Sequence, residues 1–257
     1  MNGMTKTSKT SKTSMAPKDS KPAKARKTSK TLRAPMDLVV LDMAGTTVAD
    51  DGLVERAFTA AAERLGEDPG TMIDYVRATM GESKISVFRH LFGGDENRAR
   101  QANLAFEEAY GELVSGGLIA PVPGAAEAVA TLKDQGRTVV LTTGFARVTQ
   151  DAILDALGWR DLVGLTLCPA DAGGRGRPYP DMVLAALLRT GAVDDVRHIA
   201  VAGDTSYDML SGSRAGAGIV AGVLTGAHGE AALTEHGATH VLASIAELPA
   251  LITEYEA

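Results

Sequence analysis

The run Leu38-Val39-Val40-Leu41, closed by Asp42 and followed by Met43-Ala44-Gly45-Thr46-Thr47, constrains this chain more than any other stretch. Leu and β-branched residues ending in a carboxylate, with glycine three positions on, predict a buried parallel strand. The C-terminal end of such a strand delivers Asp42 into a crevice, and in open α/β sheets that edge is where ligands bind. Alone, Asp-x-x-Gly leaves three readings open: a nucleophile, a metal ligand or a turn former.

The rest of the chain supplies the context. From Val54 to about Ala120 apolar residues recur at spacings of three and four, and glycines at 66, 81, 93–94 and 116–117 punctuate four helices with no strand between them. Beyond Pro121 and Pro123 the texture alternates. Strands are expected at Thr138–Leu141, Leu162–Leu167, His198–Ala202, Ile219–Val223 and His240–Leu242. Helices are expected at Ala125–Lys133, Val148–Leu157, Tyr179–Thr190 and Met209–Ala215. Strands separated by helices of about ten residues imply an α/β fold, a doubly wound parallel sheet with a Rossmann-like core. The helical segment becomes an inserted cap domain over the sheet edge. The expected division is core at 36–51, cap at 52–121 with hinges near Gly52 and Pro121, and core again at 122–257.

Charge separates a further segment. Residues 1–35 hold ten Lys and Arg against Asp19 alone, in a Thr-Ser-Lys repeat followed by Lys, Ala, Pro and Ser. Such a segment cannot bury enough apolar surface to offset its ordering entropy, so a disordered basic tail is expected. Residues 36–257 then carry 16 basic and 31 acidic residues, which argues against a nucleic-acid surface on the folded part. No apolar run approaches the roughly 20 residues of a membrane span. Cys168, the single cysteine, has no partner for an intramolecular disulfide. These features fit a cytoplasmic enzyme, with a homodimer as a further expectation.

Three later motifs add chemistry to Asp42. Thr142-Thr143-Gly144 stands at a strand-to-helix turn, where a hydroxyl and free backbone N–H groups can bind phosphate oxygens, or simply cap the next helix. Gly176-Arg177-Pro178-Tyr179-Pro180 places an always-charged fork before a helix start. Gly203-Asp204-Thr205-Ser206-Tyr207-Asp208 ends another strand with two carboxylates. Their spacing suits a hard divalent cation, with Asp204 facing it and Asp208 behind, or a helix cap at Asp208.

Taken in this order, the four motifs resemble the haloacid dehalogenase superfamily of phosphohydrolases across residues 36–257. The resemblance implies that Asp42 attacks phosphorus and forms an aspartyl-phosphate. It also implies Mg²⁺ held by Asp42, the Ala44 carbonyl and Asp204, with phosphoryl oxygens bound by Thr143, Gly144 and Arg177. Phosphatases of the superfamily carry a second Asp two residues after the nucleophile, and here Ala44 replaces it. Asp-x-Ala-Gly-Thr-Thr is similar to the phosphonatase-like hydrolases, which include the phosphonoacetaldehyde hydrolases. There a cap lysine in Met-Gly-x-x-Lys forms a Schiff base, and Met80-Gly81-Glu82-Ser83-Lys84 matches that pattern. Expelling an enamine removes the need for the absent acid. Phe145, Val87 and Leu53 stand where phosphonatases have Tyr, His and Cys. The alternative reading is therefore a phosphomonoester phosphatase of the phosphoglycolate type, with Lys84 acting as a cation. Either way the substrate is a small organophosphorus compound.

Overall fold

The computed structural model describes residues 35–257, so the expected basic tail lies, apart from Pro35, outside the described residues. The chain opens with β1 (Leu38–Asp42) and a two-residue strand, β2 (Val48–Ala49). Four helices follow: α1 (Leu53–Arg64), α2 (Ile73–Ala78), α3 (Lys84–Leu91) and α4 (Glu96–Ser115). The chain returns through β3 (Ala120–Pro121), α5 (Ala125–Asp134), β4 (Thr138–Thr142) and α6 (Arg147–Ala156). Next come β5 (Leu165–Leu167), α7 (Asp181–Thr190), β6 (Ile199–Gly203) and α8 (Ser206–Ala215). The last elements are β7 (Ile219–Val223), α9 (Glu230–Glu235), β8 (His240–Leu242) and α10 (Leu248–Glu256).

Six strands form one sheet in the order β5-β4-β1-β6-β7-β8, and every pairing within it is parallel. From β1 the chain winds outward to β4 and β5, then crosses back to β6, β7 and β8. The winding direction therefore reverses at β1, the switch point where open sheets bind ligands. The apolar runs divide between two faces with the period of two that a strand requires. Val39 and Leu41 join Val139, Leu141, Ala200 and Ala202 in a core covered by α5, α6 and α10. Leu38 and Val40 join Val140, Ile199 and Val201 under α7 and α8. Burial on both faces explains why the run is continuous rather than alternating.

Helices α1 to α4 lie between β2 and β3, which pair antiparallel through Val48–Pro121 and Ala49–Ala120. The four-helix expectation holds, but Ala120 and Pro121 form a strand in a stretch read as helical. Two residues cannot carry a detectable alternation, and the pairing partner is more than seventy positions away. Other boundaries shift for local reasons. α7 starts at Asp181 rather than Tyr179, since Pro178 and Pro180 lack N–H donors and constrain the entry. β5 is shorter than expected because the Leu162 N–H closes a turn onto the Trp159 carbonyl, 3.0 Å away. α9 and α10 are additions. No helix among the described residues is long and apolar enough to cross a membrane.

The helical insert and the sheet share one core. Phe58, Phe88, Phe106 and Tyr110 from the insert meet Phe145 from the loop after β4. The Tyr110 and Phe145 ring centroids are 4.7 Å apart. Close packing of this kind makes single deletions costly. Leu41→Ala removes a side chain with no solvent exposure between two parallel neighbours, whereas Leu188 is 78% exposed. Leu41→Ala should cost about 2–5 kcal/mol in chemical denaturation and Leu188→Ala less than about 0.5 kcal/mol. Equal midpoints for the two variants would contradict this core.

Candidate active site

Parallel register builds the site. Asp42 is paired with Thr142 and Leu41 with Ala202, so the loops following β1, β4 and β6 leave the sheet at one level. Asp42 is buried there. The turn behind it is tight, with the N–H groups of Thr46, Thr47 and Val48 all donating to the Met43 carbonyl at 3.2, 2.9 and 2.8 Å. The Thr47 hydroxyl donates to the Asp42 carbonyl at 2.9 Å. Gly45 has φ +86°, and a Cβ there would sit 2.3 Å from Asp204 Oδ2. The glycine is required both for its left-handed backbone and for the approach of Asp204.

Arg177 organises the charges. Its Nη2 lies 2.6 Å from Asp42 Oδ1 and also donates to Thr142 Oγ1 at 2.8 Å, and its Nε lies 2.6 Å from Asp208 Oδ1. Asp208 Oδ2 accepts the backbone N–H and the hydroxyl of Thr205, closing a capping box at the start of α8. Asp208 is therefore a helix cap that also pairs with Arg177. Asp204 Oδ1 accepts from Thr46 Oγ1 at 3.3 Å, and its Oδ2 accepts the Ala227 N–H at 2.8 Å. The Thr143 hydroxyl oxygen accepts the Phe145 N–H, 3.2 Å away, and Thr143 lines the cavity together with Gly144.

Carboxylate oxygens of Asp42, Asp204 and Asp208 lie within 4.8 Å of one another. Burial pushes the Asp42 carboxyl well above its usual range; Arg177 offsets this in part, and Asp208 and Asp204 add to it. Burial and then Asp208 push Asp204 up to about 7. Three buried carboxylates around one guanidinium leave uncompensated negative charge. An all-oxygen donor set of this kind fits a hard divalent cation.

The helical insert supplies the remaining wall. A cavity of about 560 Å³ runs from Asp42, Ala44, Arg177 and Asp204 to Asp50, Glu55 and Lys84. Lys84, the first residue of α3, is buried between the rings of Phe58 and Phe145, with Nζ 5.8 and 5.4 Å from their centroids. Burial brings its ammonium down to about 8 against the opposing pull of Asp50 and Asp42. The segment Met80–Lys84 rests directly on the core loops. A Cβ on Gly81, where φ is +95°, would meet Thr205 Oγ1 at 2.3 Å, and one on Gly144 would meet the Glu82 carbonyl at 3.1 Å.

Asp42, Ala44, Lys84, Thr143, Gly144, Arg177 and Asp204 thus all line one cavity, with Asp208 behind Arg177. Around Lys84, Leu53 and Val87 are buried in the apolar core, and Phe145 faces the cavity. Sequence reasoning missed Asp50, Thr142 as a partner of Arg177, and the Thr225–His228 loop that holds Asp204. Asp50 carries a weak signal, an acidic residue just before a helix start. The loop carries none for Asp204, because it holds that residue through the Ala227 and His228 backbone N–H groups.

Comparison with known proteins agrees with this geometry. Residues 36–216 match the family model described as haloacid dehalogenase-like hydrolase. The chain is 31% identical over 196 residues to a probable phosphatase, IndB, of Dickeya dadantii, covering 74% of this chain and 82% of that protein. It is 30% identical over 217 residues to phosphonoacetaldehyde hydrolase of Bacillus cereus, covering 78% and 80%. The crystal structure of a phosphonoacetaldehyde hydrolase-like protein from Oleispira antarctica superposes with a TM-score of 0.76 at 23% identity, covering 90% of this chain and 96% of that one, a likeness of fold. With a buried aspartate at the switch point and the family match over most of the folded part, this chain belongs to the haloacid dehalogenase-like hydrolases.

Proposed function

We propose that this hydrolase is a Mg²⁺-dependent, phosphonatase-like enzyme that cleaves a small organophosphorus substrate through an aspartyl-phosphate on Asp42, with Lys84 forming an imine to the substrate carbonyl. The observation that carries the reading is a buried lysine, with no ion pair among the described residues, in the same cavity as Asp42, while Ala44 replaces the acid of the ester phosphatases. Asp42, the Ala44 carbonyl and Asp204 would hold the ion, whose chemistry is to neutralise charge between the phosphoryl oxygens and the attacking carboxylate. Thr143, Gly144 and Arg177 hold those oxygens as charge shifts in the transition state. Neutral Lys84 adds to the carbonyl and, with loss of water, gives an iminium. Attack of Asp42 on phosphorus then breaks the C–P bond and expels an enamine, whose protonation and hydrolysis free Lys84. Water attacks the aspartyl-phosphate and frees Asp42. Residues 52–121 act as a cap over 36–51 and 122–257, with β2 and β3 as paired hinge strands.

A second reading has its own support. Positions 53, 87 and 145, where phosphonatases have polar residues, are apolar here, and a relative near 30% identity is named a probable phosphatase. In that reading Lys84 binds the organic part of a phosphomonoester as a cation.

Asp42→Asn should reduce turnover by more than about a thousandfold without loss of fold, since an amide cannot attack phosphorus. Steady-state kinetics with a melting curve check this, and turnover within tenfold of wild type contradicts the role. Chelation should abolish activity and added Mg²⁺ should restore it, with Asp204→Asn needing more Mg²⁺ for half-maximal rate. Borohydride added with an aldehyde-bearing phosphonate should trap an adduct on Lys84, detectable by mass spectrometry. Since only the neutral amine adds, trapping should rise with pH through a midpoint near 8 and level off above it. No wild-type adduct, together with phosphomonoester turnover that survives Lys84→Arg, would favour the phosphomonoesterase.

A further inference from the structure

Residues 36–257 contain fourteen arginines and two lysines, Lys84 and Lys133. Lys133 is exposed and donates to the Leu162 carbonyl at 2.7 Å. Fixed cations elsewhere in the described residues are thus supplied almost wholly by arginine. Lys84 makes no hydrogen bond or ion pair among the described residues. An amine placed where a guanidinium would serve any clamp is suited to chemistry that needs a removable proton.

Such an amine needs a neighbour to take the proton and return it. The carboxylates of the shared cavity can be sorted by what they already bind. Asp42 engages Arg177, and Asp204 engages Thr46 and the Ala227 N–H. Glu55 is held by both Nε and Nη2 of Arg77 at 2.9 Å, and Asp51 is exposed. Asp50 remains. Its Oδ1 accepts the Val54 N–H at 3.1 Å at the start of α1, and its Oδ2 has no hydrogen-bond partner among the described residues. The carboxylate is fixed through one oxygen and available through the other.

We propose that Asp50 is the proton-handling partner of Lys84, a general acid–base that serves the amine and the carbinolamine formed on it. The inference rests on the imine reading above. Through one intervening water, the Asp50 carboxylate takes a proton from the Lys84 ammonium, leaving neutral Nζ and a carboxylic acid. Nζ bonds to the carbonyl carbon as the C=O π pair moves to oxygen, and one proton passes from nitrogen to that oxygen. The resulting carbinolamine hydroxyl accepts the proton of the Asp50 acid and leaves as water. The Nζ lone pair forms the C=N bond, giving an iminium and restoring the Asp50 carboxylate. The other charged groups that face Lys84 are Asp42 from β1, Arg177 before α7, Asp204 after β6 and Glu82 beside it in the insert. Burial raises the Asp50 acid above its usual value, which brings donor and acceptor closer together.

The test is an NMR titration of the full chain with lysine labelled at ¹³Cε, Lys84 being assigned by its loss in Lys84→Arg. Wild type should titrate near 8. Asp50→Asn keeps an acceptor for the Val54 N–H but loses the charge, so the midpoint should fall by about one pH unit. Asp50→Glu should move it back toward wild type. In parallel, Asp50→Asn should lower kcat for an aldehyde-bearing phosphonate at least tenfold, with KM changing less. An unchanged midpoint in folded Asp50→Asn overturns the pairing, since a purely structural cap would leave Lys84 untouched. A shifted midpoint with no borohydride adduct in wild type overturns the imine reading instead, leaving Asp50 as the electrostatic partner of a cationic Lys84.

Discussion

The double engagement of Arg177 holds this site together. One buried guanidinium spans Asp42 on β1 and Asp208 on α8, and it also reaches Thr142 at the end of β4. Buried ion pairs add little net stability, because desolvation offsets the attraction, but removing one partner strands a charge in the interior. Arg177 therefore fixes geometry more than it adds stability. It brings the ends of two strands and a helix start to one point and holds the carboxylates against their mutual repulsion. The surplus negative charge that remains is what makes the spot suited to a divalent cation and an anionic group together.

Around that point the chain is arranged so that backbones can come close. Gly45 lets Asp204 approach the β1 loop, and Gly81 lets the insert rest on Thr205, the residue that also caps Asp208. The insert thus touches the polypeptide that positions the acidic cluster, not only the cavity above it. Its aromatic residues continue the sheet's own core through Phe145, so the wall carrying Lys84 is anchored by apolar packing. The same packing excludes water from the amine and lowers its proton affinity.

With alanine at position 44, the loop after Asp42 offers no second acid, and the insert brings an ionisable group, Lys84, into the same cavity. Lys84 and Asp50 belong to segments that flank different helices, yet both open into one cavity. Their pairing supplies a titratable couple where side chains at 53, 87 and 145 are apolar.

Much of this architecture is legible in the order of residues alone. The continuous apolar run into Asp42 specifies a strand buried on both faces, and the alternation after Pro123 specifies a parallel sheet. Each local motif also names its own chemistry: Thr143-Gly144, Arg177, Asp204 and Asp208 each follow a strand or precede a helix, positions set by short-range pattern. What local pattern cannot carry is distance between segments far apart in the chain. The antiparallel pairing of Val48–Ala49 with Ala120–Pro121, the Arg177 bridge from Asp42 to Asp208, and the Thr225–His228 loop under Asp204 arise only when the sheet closes. Asp50 illustrates the difference best. In sequence it is an acidic residue before a helix, and in space it is a cavity carboxylate that keeps an uncommitted oxygen near Lys84. Local sequence determined the elements and the residue types at their ends, because those depend on neighbours within a few positions. Tertiary structure decided which of those residues share a dielectric environment, and with it their protonation.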